Sequence, residues 1–333
     1  MRYSVTTRAD LAGERTGTVY ELSSGSARAE VWPFAGFNCL KWQIDGRDIL
    51  YSAPDWESNP VPTRSGHPVL FPFPNRLAHG KLSSNGVQYQ LPLTEATKTH
   101  AIHGFTPRTP WRVLGSGVTD TSSFVTARFR MSERFENGKS LWPGDGSITL
   151  TYTLSESTLS VDAEVENFGA APLPYGIGYH GYFRLPTADV DETIERWLFQ
   201  SRTDQLWECV SNMPTGKLVP TPPELNFTAE RPLGNVSFDT LLTGLEPGTG
   251  MRTVTMLRHP ERPGTLSIRA DESFPHLVLF TPTHRKAIAI EPYTCATNAA
   301  NLPATVRTGW RVLAPGTKSQ HRVEYSWGIT RRD

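Results

Sequence analysis

Four segments of the chain set polar side chains where their neighbours are apolar. The first is Ala287-Ile-Ala-Ile-Glu291-Pro292, which follows the apolar run Leu277–Phe280. On an extended strand Ala287, Ala289 and Glu291 share one face, while Ile288 and Ile290 share the other. The two alanines leave space above the carboxylate, and the proline holds Glu291 extended and ends the strand. A carboxylate at the mouth of an apolar sheet takes a raised pKa, which suits a general base. The plain alternative is a strand-end glutamate in solvent or in an ion pair. The second segment is Tyr175-Gly-Ile-Gly-Tyr-His180-Gly-Tyr-Phe183-Arg-Leu185. His180 sits there among aromatics and among glycines that admit close approach by a ligand; a satisfied core histidine is the alternative. The third is His100-Ala-Ile-His103-Gly-Phe105, followed by Arg108 and Trp111. The fourth, Pro72-Phe73-Pro74-Asn75-Arg76-Leu77, carries an arginine that needs a partner such as a buried carboxylate, because burying it unpaired is costly.

The common local signatures are absent. The chain has no GxGxxG, GxxxxGK[ST], GxSxG or HExxH, which leaves nucleotide, serine-hydrolase and zincin readings without support. Of nine histidines only His100 and His103 lie close together, with no carboxylate or cysteine at ligand spacing beside them. Catalytic zinc takes three protein ligands, so neither a metal nor an organic cofactor is expected.

The elements that must position these residues are strands. Ile148, Leu150, Tyr152 and Leu154 alternate with three threonines, and Leu159, Val161, Ala163 and Val165 alternate with polar residues after a short loop. Such a pair reads as a β-hairpin with one buried face. Alternation recurs at Val125–Met131 and Val323–Trp327, and Asp45-Gly46 and Asn85-Gly86 mark type I′ turns. The best helix candidate, Asp191–Leu198, is weak. The chain reads as all-β, and so many strands call for two packed sheets, because one twisted sheet rarely exceeds ~10 strands. The proline-rich stretch Pro214–Pro232 reads as a long loop crossing one large sandwich, and residues 1–333 as a single domain.

Composition narrows the partners. Lysine plus arginine number 33 and aspartate plus glutamate 33, so no basic excess is available for a phosphate backbone, and nucleic acid is not an expected partner. With 38% hydrophobic and 10% aromatic residues, a packed core forms readily. The 27 glycines and 27 prolines, about 16% of the chain against the usual ~12%, provide the turns between short strands. Cys39, Cys209 and Cys295 are too scattered for a disulfide framework or a CxxC site. Without an apolar leader or a stretch of ~18 apolar residues, the expectation is a soluble cytoplasmic protein with no membrane partner. Monomer and homodimer are both compatible with this composition.

Taken in order, the segments resemble the aldose 1-epimerase (galactose mutarotase) family along nearly the whole chain. Glu30-Val-Trp-Pro-Phe-Ala-Gly36 with Gly46-Arg-Asp-Ile-Leu50 is similar to the family's opening strand and turn. Asn75-Arg76-Leu77 followed by Gly80-Lys81, Gly86 and Tyr89-Gln-Leu91 is similar to its NR(I/L) signature. His103-Gly104 with Trp111, Leu141-Trp-Pro143-Gly144, His180 with Tyr182-Phe183 and Leu185, Pro214-Thr-Gly216, Glu291-Pro292 and Leu313-Ala-Pro-Gly316 match further family elements. Each piece is short, and their order makes them specific.

The resemblance implies a large antiparallel β-sandwich of the galactose mutarotase-like supersandwich type, with few short helices and a cleft open on one sheet. It implies Glu291 as general base, His180 as general acid, and His103 and Arg76 as sugar-binding groups. Asp239, in Ser237-Phe-Asp-Thr-Leu-Leu242, is the best match to the family's substrate-binding aspartate. The implied reaction interconverts the α and β anomers of an aldohexose such as galactose or glucose, a monosaccharide being the expected partner. Trp142, Tyr179 and Phe105 are candidates to stack on a pyranose, with ordinary core packing as the alternative. Tyr179, Arg184, Phe105 and Tyr293 depart from the residues usual at their motif positions. His103-Gly104-Phe105 with Arg108 is also similar to the hexose-6-phosphate 1-epimerases, for which Arg108 and Arg184 would meet the phosphate. A non-catalytic sugar-binding module and a glycosidase pairing Glu291 with Asp239 are the remaining alternatives.

Overall fold

The computed structural model describes residues 2–10, 17–56, 63–136, 139–187, 189, 191–245 and 249–328. Among these residues the strand ladders are all antiparallel, and the helical content is confined to six short 3-10 turns. The all-β reading holds. The largest sheet has nine strands and is built around the predicted hairpin. Gly146–Ser155 and Thr158–Asn167 pair from Gly146–Asn167 down to Ser155–Thr158. Beyond the hairpin, Ser123–Arg130 pairs on one side and Lys318–Gly328 on the other.

An eight-stranded sheet faces it, ordered Met213–Pro220, Gln205–Val210, Asp239–Thr243, His276–Phe280, Ile288–Tyr293, Gly178–Tyr179 and Val69–Leu70, with Gly181–Phe183 also pairing to Ile288–Tyr293. Alternation decides what each face does. Ile148, Leu150, Tyr152 and Leu154 from one sheet share a single core with Leu277, Leu279, Ile288 and Ile290 from the other. Burying each such side chain contributes roughly 1.5–3 kcal/mol, so the register is held firmly, because a one-residue slip would expose the whole set.

The second face of the eight-stranded sheet carries two smaller apolar clusters. Ala287, Ala289 and Tyr182 pack with Trp32 and Leu40 of an N-terminal five-stranded sheet. Val278, Leu241 and Tyr293 pack with Leu70 and Trp207. The polar residues singled out by sequence lie between these two clusters.

Three local expectations are corrected. Pro292 does not end its strand, which runs Ile288–Tyr293. On one side the ladder holds Gly181–Ile290 and resumes at Gly178–Tyr293, so the missing N–H of Pro292 falls in a break between two short partner strands. Within Asp191–Leu198 only Ile194–Arg196 is helical, as a 3-10 turn; its i, i+3 pair Ile194 and Trp197 is buried, and alternation resumes at Leu198–Ser201. The stretch Pro214–Pro232 is not all loop. Met213–Pro220 is an edge strand paired to Gln205–Val210, and an edge tolerates proline because one side of the strand needs no donor.

Candidate active site

The break beside Pro292 sets the centre of the site. Carrying the Gly181–Ile290 register one step on places His180 opposite Glu291, with both side chains on the face away from the main core. His180 Nε2 stands 3.4 Å from Glu291 Oε1. The other carboxylate oxygen, Oε2, accepts a 2.7 Å hydrogen bond from the Tyr293 hydroxyl. Glu291 is 1% exposed, and burial holds its carboxyl well above the ordinary range; the nearby charge of Asp239 adds to the rise and the Tyr293 hydrogen bond opposes it. Burial acts on His180 in the opposite sense and disfavours the imidazolium. Its ring is stacked on Tyr182 at 4.7 Å, and its Nδ1 has no hydrogen-bond partner among the described residues.

Arg76 and His103 enter from one short ladder, Arg76–Leu77 paired with Ala101–Ile102. The Arg76 partner foreseen as a carboxylate is Glu95, at 2.6 Å from Nε. Arg76 also donates through Nη1 to Asn75 Oδ1 at 3.1 Å. His103 is left-handed (φ 64°), and its N–H donates to the Asn75 carbonyl at 2.8 Å. Gly104 follows at φ 67°, where a Cβ would lie 2.2 Å from the Phe71 carbonyl oxygen, so only glycine completes this turn. The His103 ring meets His180 edge-on at 5.4 Å, and burial, then the charges of His180, Arg108 and Arg76, push its pKa well below the ordinary value.

These residues line one cleft of about 170 Å³ together with Thr63, Asn75, Ile102, Tyr182, Asp239, Val278, Phe280 and Tyr293. Asp239 stands exposed at its rim, bonded to Asn212 Nδ2 at 3.2 Å. All five residues picked out by sequence are thus brought together. The proposed stacking aromatics are not. Trp142, Tyr179 and Phe105 are buried in the core: Trp142 packs on Phe73 and Trp310, and Tyr179 faces the opposite side of its strand from His180 and stacks on His67. The aromatic residues that line the cleft include Tyr182, Phe280 and Tyr293. Arg184 is buried elsewhere, donating to the Asp189 carbonyl at 3.3 Å. Arg108 is exposed, close enough to His103 to act on it electrostatically, and pairs with no carboxylate among the described residues.

The sequence pattern of the aldose 1-epimerase family matches residues 19–326, a span that includes every residue of the cleft. The chain belongs to the aldose 1-epimerase family. It is 30% identical to the Escherichia coli (strain K12) protein YihR over 235 residues, 70% of this chain and 71% of that one. A galactose mutarotase-like protein from Clostridium acetobutylicum has the same fold, with a TM-score of 0.85 at 21% identity and 99% of each chain covered. A galactose 1-epimerase from Lactobacillus acidophilus superposes with a TM-score of 0.77 at 16% identity, over 98% of this chain and 99% of that one. Among the described residues no helix is long and apolar enough to cross a membrane.

Within this family frame, three participants take their roles only in the structure. Glu95 lies 19 positions from Arg76 in a segment without periodicity, so nothing local announces the pair. Asn75 was visible only as a neighbour of Arg76. Tyr293 shares the strand face of Glu291 at i, i+2, a signal that was available and pointed to the hydroxyl now on the carboxylate.

Proposed function

We propose that the protein is an aldose 1-epimerase that interconverts the α and β anomers of an aldohexose, with Glu291 and His180 as the catalytic residues. The observation that carries this reading is the pair itself: a buried carboxylate and a buried imidazole 3.4 Å apart, facing a cleft of about 170 Å³. Ring opening takes the proton of the C1 hydroxyl onto Glu291 while His180 gives its proton to the ring oxygen. The C1–O5 bond breaks, and C1 becomes a carbonyl carbon. Rotation about C1–C2 exposes the other carbonyl face. Closure returns the Glu291 proton to the carbonyl oxygen and the O5 hydroxyl proton to His180, so no net proton is consumed.

Burial fits this cycle in a specific way. Desolvation favours a neutral Glu291 and a neutral His180, the protonation state present while the sugar is open. The ion pair needed for opening and the neutral pair needed for closing hold the same number of protons and differ only in which side chain carries one of them, and the concerted transfer keeps full charge off either sugar oxygen. One positioned acid and one base, at ~10²–10⁴-fold each, are enough for a reaction that already proceeds in water. Arg76, His103 and Asp239 surround the pair as polar anchors for sugar hydroxyls, and Tyr182 and Phe280 offer apolar walls for the ring.

The test is polarimetry on freshly dissolved α-D-galactose and α-D-glucose with and without protein at neutral pH. Faster decay to the same equilibrium rotation is expected, since a catalyst leaves the endpoint unchanged. No acceleration with either sugar overturns the neutral-hexose reading. A hexose 6-phosphate is the second reading, favoured by Arg108, which lies near His103 without a carboxylate partner among the described residues. Acceleration with glucose 6-phosphate alone, lost in Arg108→Ala, would establish it.

A further inference from the structure

We infer that Tyr293 is a positioning residue for the general base, aiming one oxygen of Glu291 at the substrate by binding the other. This rests on the reading of Glu291 as the base. Glu95 accepts from Arg76 Nε at 2.6 Å, and Arg76 Nη1 donates to Asn75 Oδ1 at 3.1 Å. Burial, then Glu291, raises the pKa of the Tyr293 hydroxyl, and the Asn75 side chain lies near enough to oppose that rise in part. The Tyr293 hydroxyl spends its one proton on Glu291 Oε2 at 2.7 Å.

The surroundings commit the ring to this place. Tyr293 is 0% exposed and packed among Leu70, Trp207, Leu241 and Val278. On the facing strand stands Gly178, where a Cβ would come within 2.6 Å of the tyrosine ring; any larger residue would displace it. Across the other ladder Glu291 faces the apolar Val278, which offers no donor to Oε2. The titratable and charged groups that face Glu291 are His180, Tyr182, His103, Arg76, Asp239 and Tyr293 itself. Of these, only Tyr293 and His180 reach its oxygens among the described residues. Oε1 is therefore the oxygen free to meet the C1 hydroxyl beside His180.

A donor to the ionised carboxylate favours both states in which Glu291 is charged: the ion pair that opens the ring, and the fully deprotonated pair that appears at high pH. Removing the donor in Tyr293→Phe, which keeps the ring, lowers the neutral-pH kcat/KM about tenfold and moves the alkaline loss of activity up by about one pH unit, with KM little changed. Replacing Tyr293 by fluorotyrosine, a stronger donor, moves that alkaline limb down. A merely structural tyrosine leaves the limb in place in both variants, and this result overturns the inference. The carboxyl titration of Glu291, read by carbon-13 NMR on glutamate-labelled unliganded protein and assigned with Glu291→Gln, is the activity-independent arm. A midpoint about one unit higher in Tyr293→Phe supports the inference even if no tested sugar is turned over, and an unchanged midpoint sinks it even if the protein is a fast mutarotase.

Discussion

His180 Nε2 and Glu291 Oε1 lie 3.4 Å apart on neighbouring strands of the eight-stranded sheet, at the step where the ladder between those strands is broken. The break matters because both side chains leave the sheet on the same face at adjacent positions, and neither is separated from the other by an intervening residue. A two-strand juxtaposition holds two groups more firmly than a loop does, and proton transfer at both ends of a C1–O5 unit needs that firmness.

Glu291→Gln keeps the shape and the Tyr293 contact but removes the base. Expected is a loss of at least ~10³-fold in kcat with sugar binding still detectable. Saturation-transfer NMR with galactose, run beside polarimetry, separates the two effects. An active variant would remove Glu291 from the mechanism.

The pH dependence follows from the pair as a unit. Activity needs one proton shared between Glu291 and His180. Burial raises the value at which that proton is lost, because the carboxyl is held above its ordinary range. It also lowers the value at which a second proton is gained, because the imidazole is held below its own. The kcat/KM profile should be a wide plateau across neutrality, falling only at its two ends. A profile with both limbs between pH 5 and pH 7 would contradict the burial argument.

Arg76→Lys retains a charge beside Glu95 while losing the fork that spans Glu95 and Asn75. A rise in KM of about tenfold, the equivalent of one hydrogen bond, is expected with a smaller change in kcat. Initial rates over a range of sugar concentration give the split. Equal falls in kcat and kcat/KM would instead place Arg76 at the transition state.

Stability should fall in acid for a reason separate from catalysis. His67 is buried between the sheets, its ring nitrogens 3.0 Å from the Tyr152 hydroxyl and 2.7 Å from the Tyr325 hydroxyl, and its pKa is pushed down to about 3. His276 and His321 are pushed down to about 4 and about 3. Below the unfolded value of ~6.5 the unfolded chain binds protons that the folded one refuses. The stabilisation is whole above that pH and is lost progressively as pH falls toward the folded values. Each histidine costs about 1.4 kcal/mol per pH unit, so the three together cost about 4 kcal/mol per unit. Thermal melts at pH 7 and pH 5 should differ by about 10 °C or more; equal midpoints would show that these rings are protonated in the fold.

The hairpin at Gly146–Asn167, the Asp45-Gly46 and Asn85-Gly86 turns and the two-faced strand around Glu291 were legible in the residues themselves, because side chains alternate with a period of two and asparagine or aspartate before glycine accepts positive φ. The ordered motifs also picked out five of the polar residues that line the cleft. Sequence alone left the surroundings of those residues open. Whether Trp142, Tyr179 and Phe105 would line the cleft or fill the core depended on which sheet face each strand turned inward, and all three were claimed by the core. That Glu95 and Asn75 accept from Arg76, and that Tyr293 donates to Glu291, emerged only when segments distant in sequence were laid side by side. The raised pKa of Glu291 followed from its place at the mouth of an apolar strand, whereas the lowered pKa of His180 was a tertiary matter, because an imidazole departs from its ordinary value only when packing takes the water away.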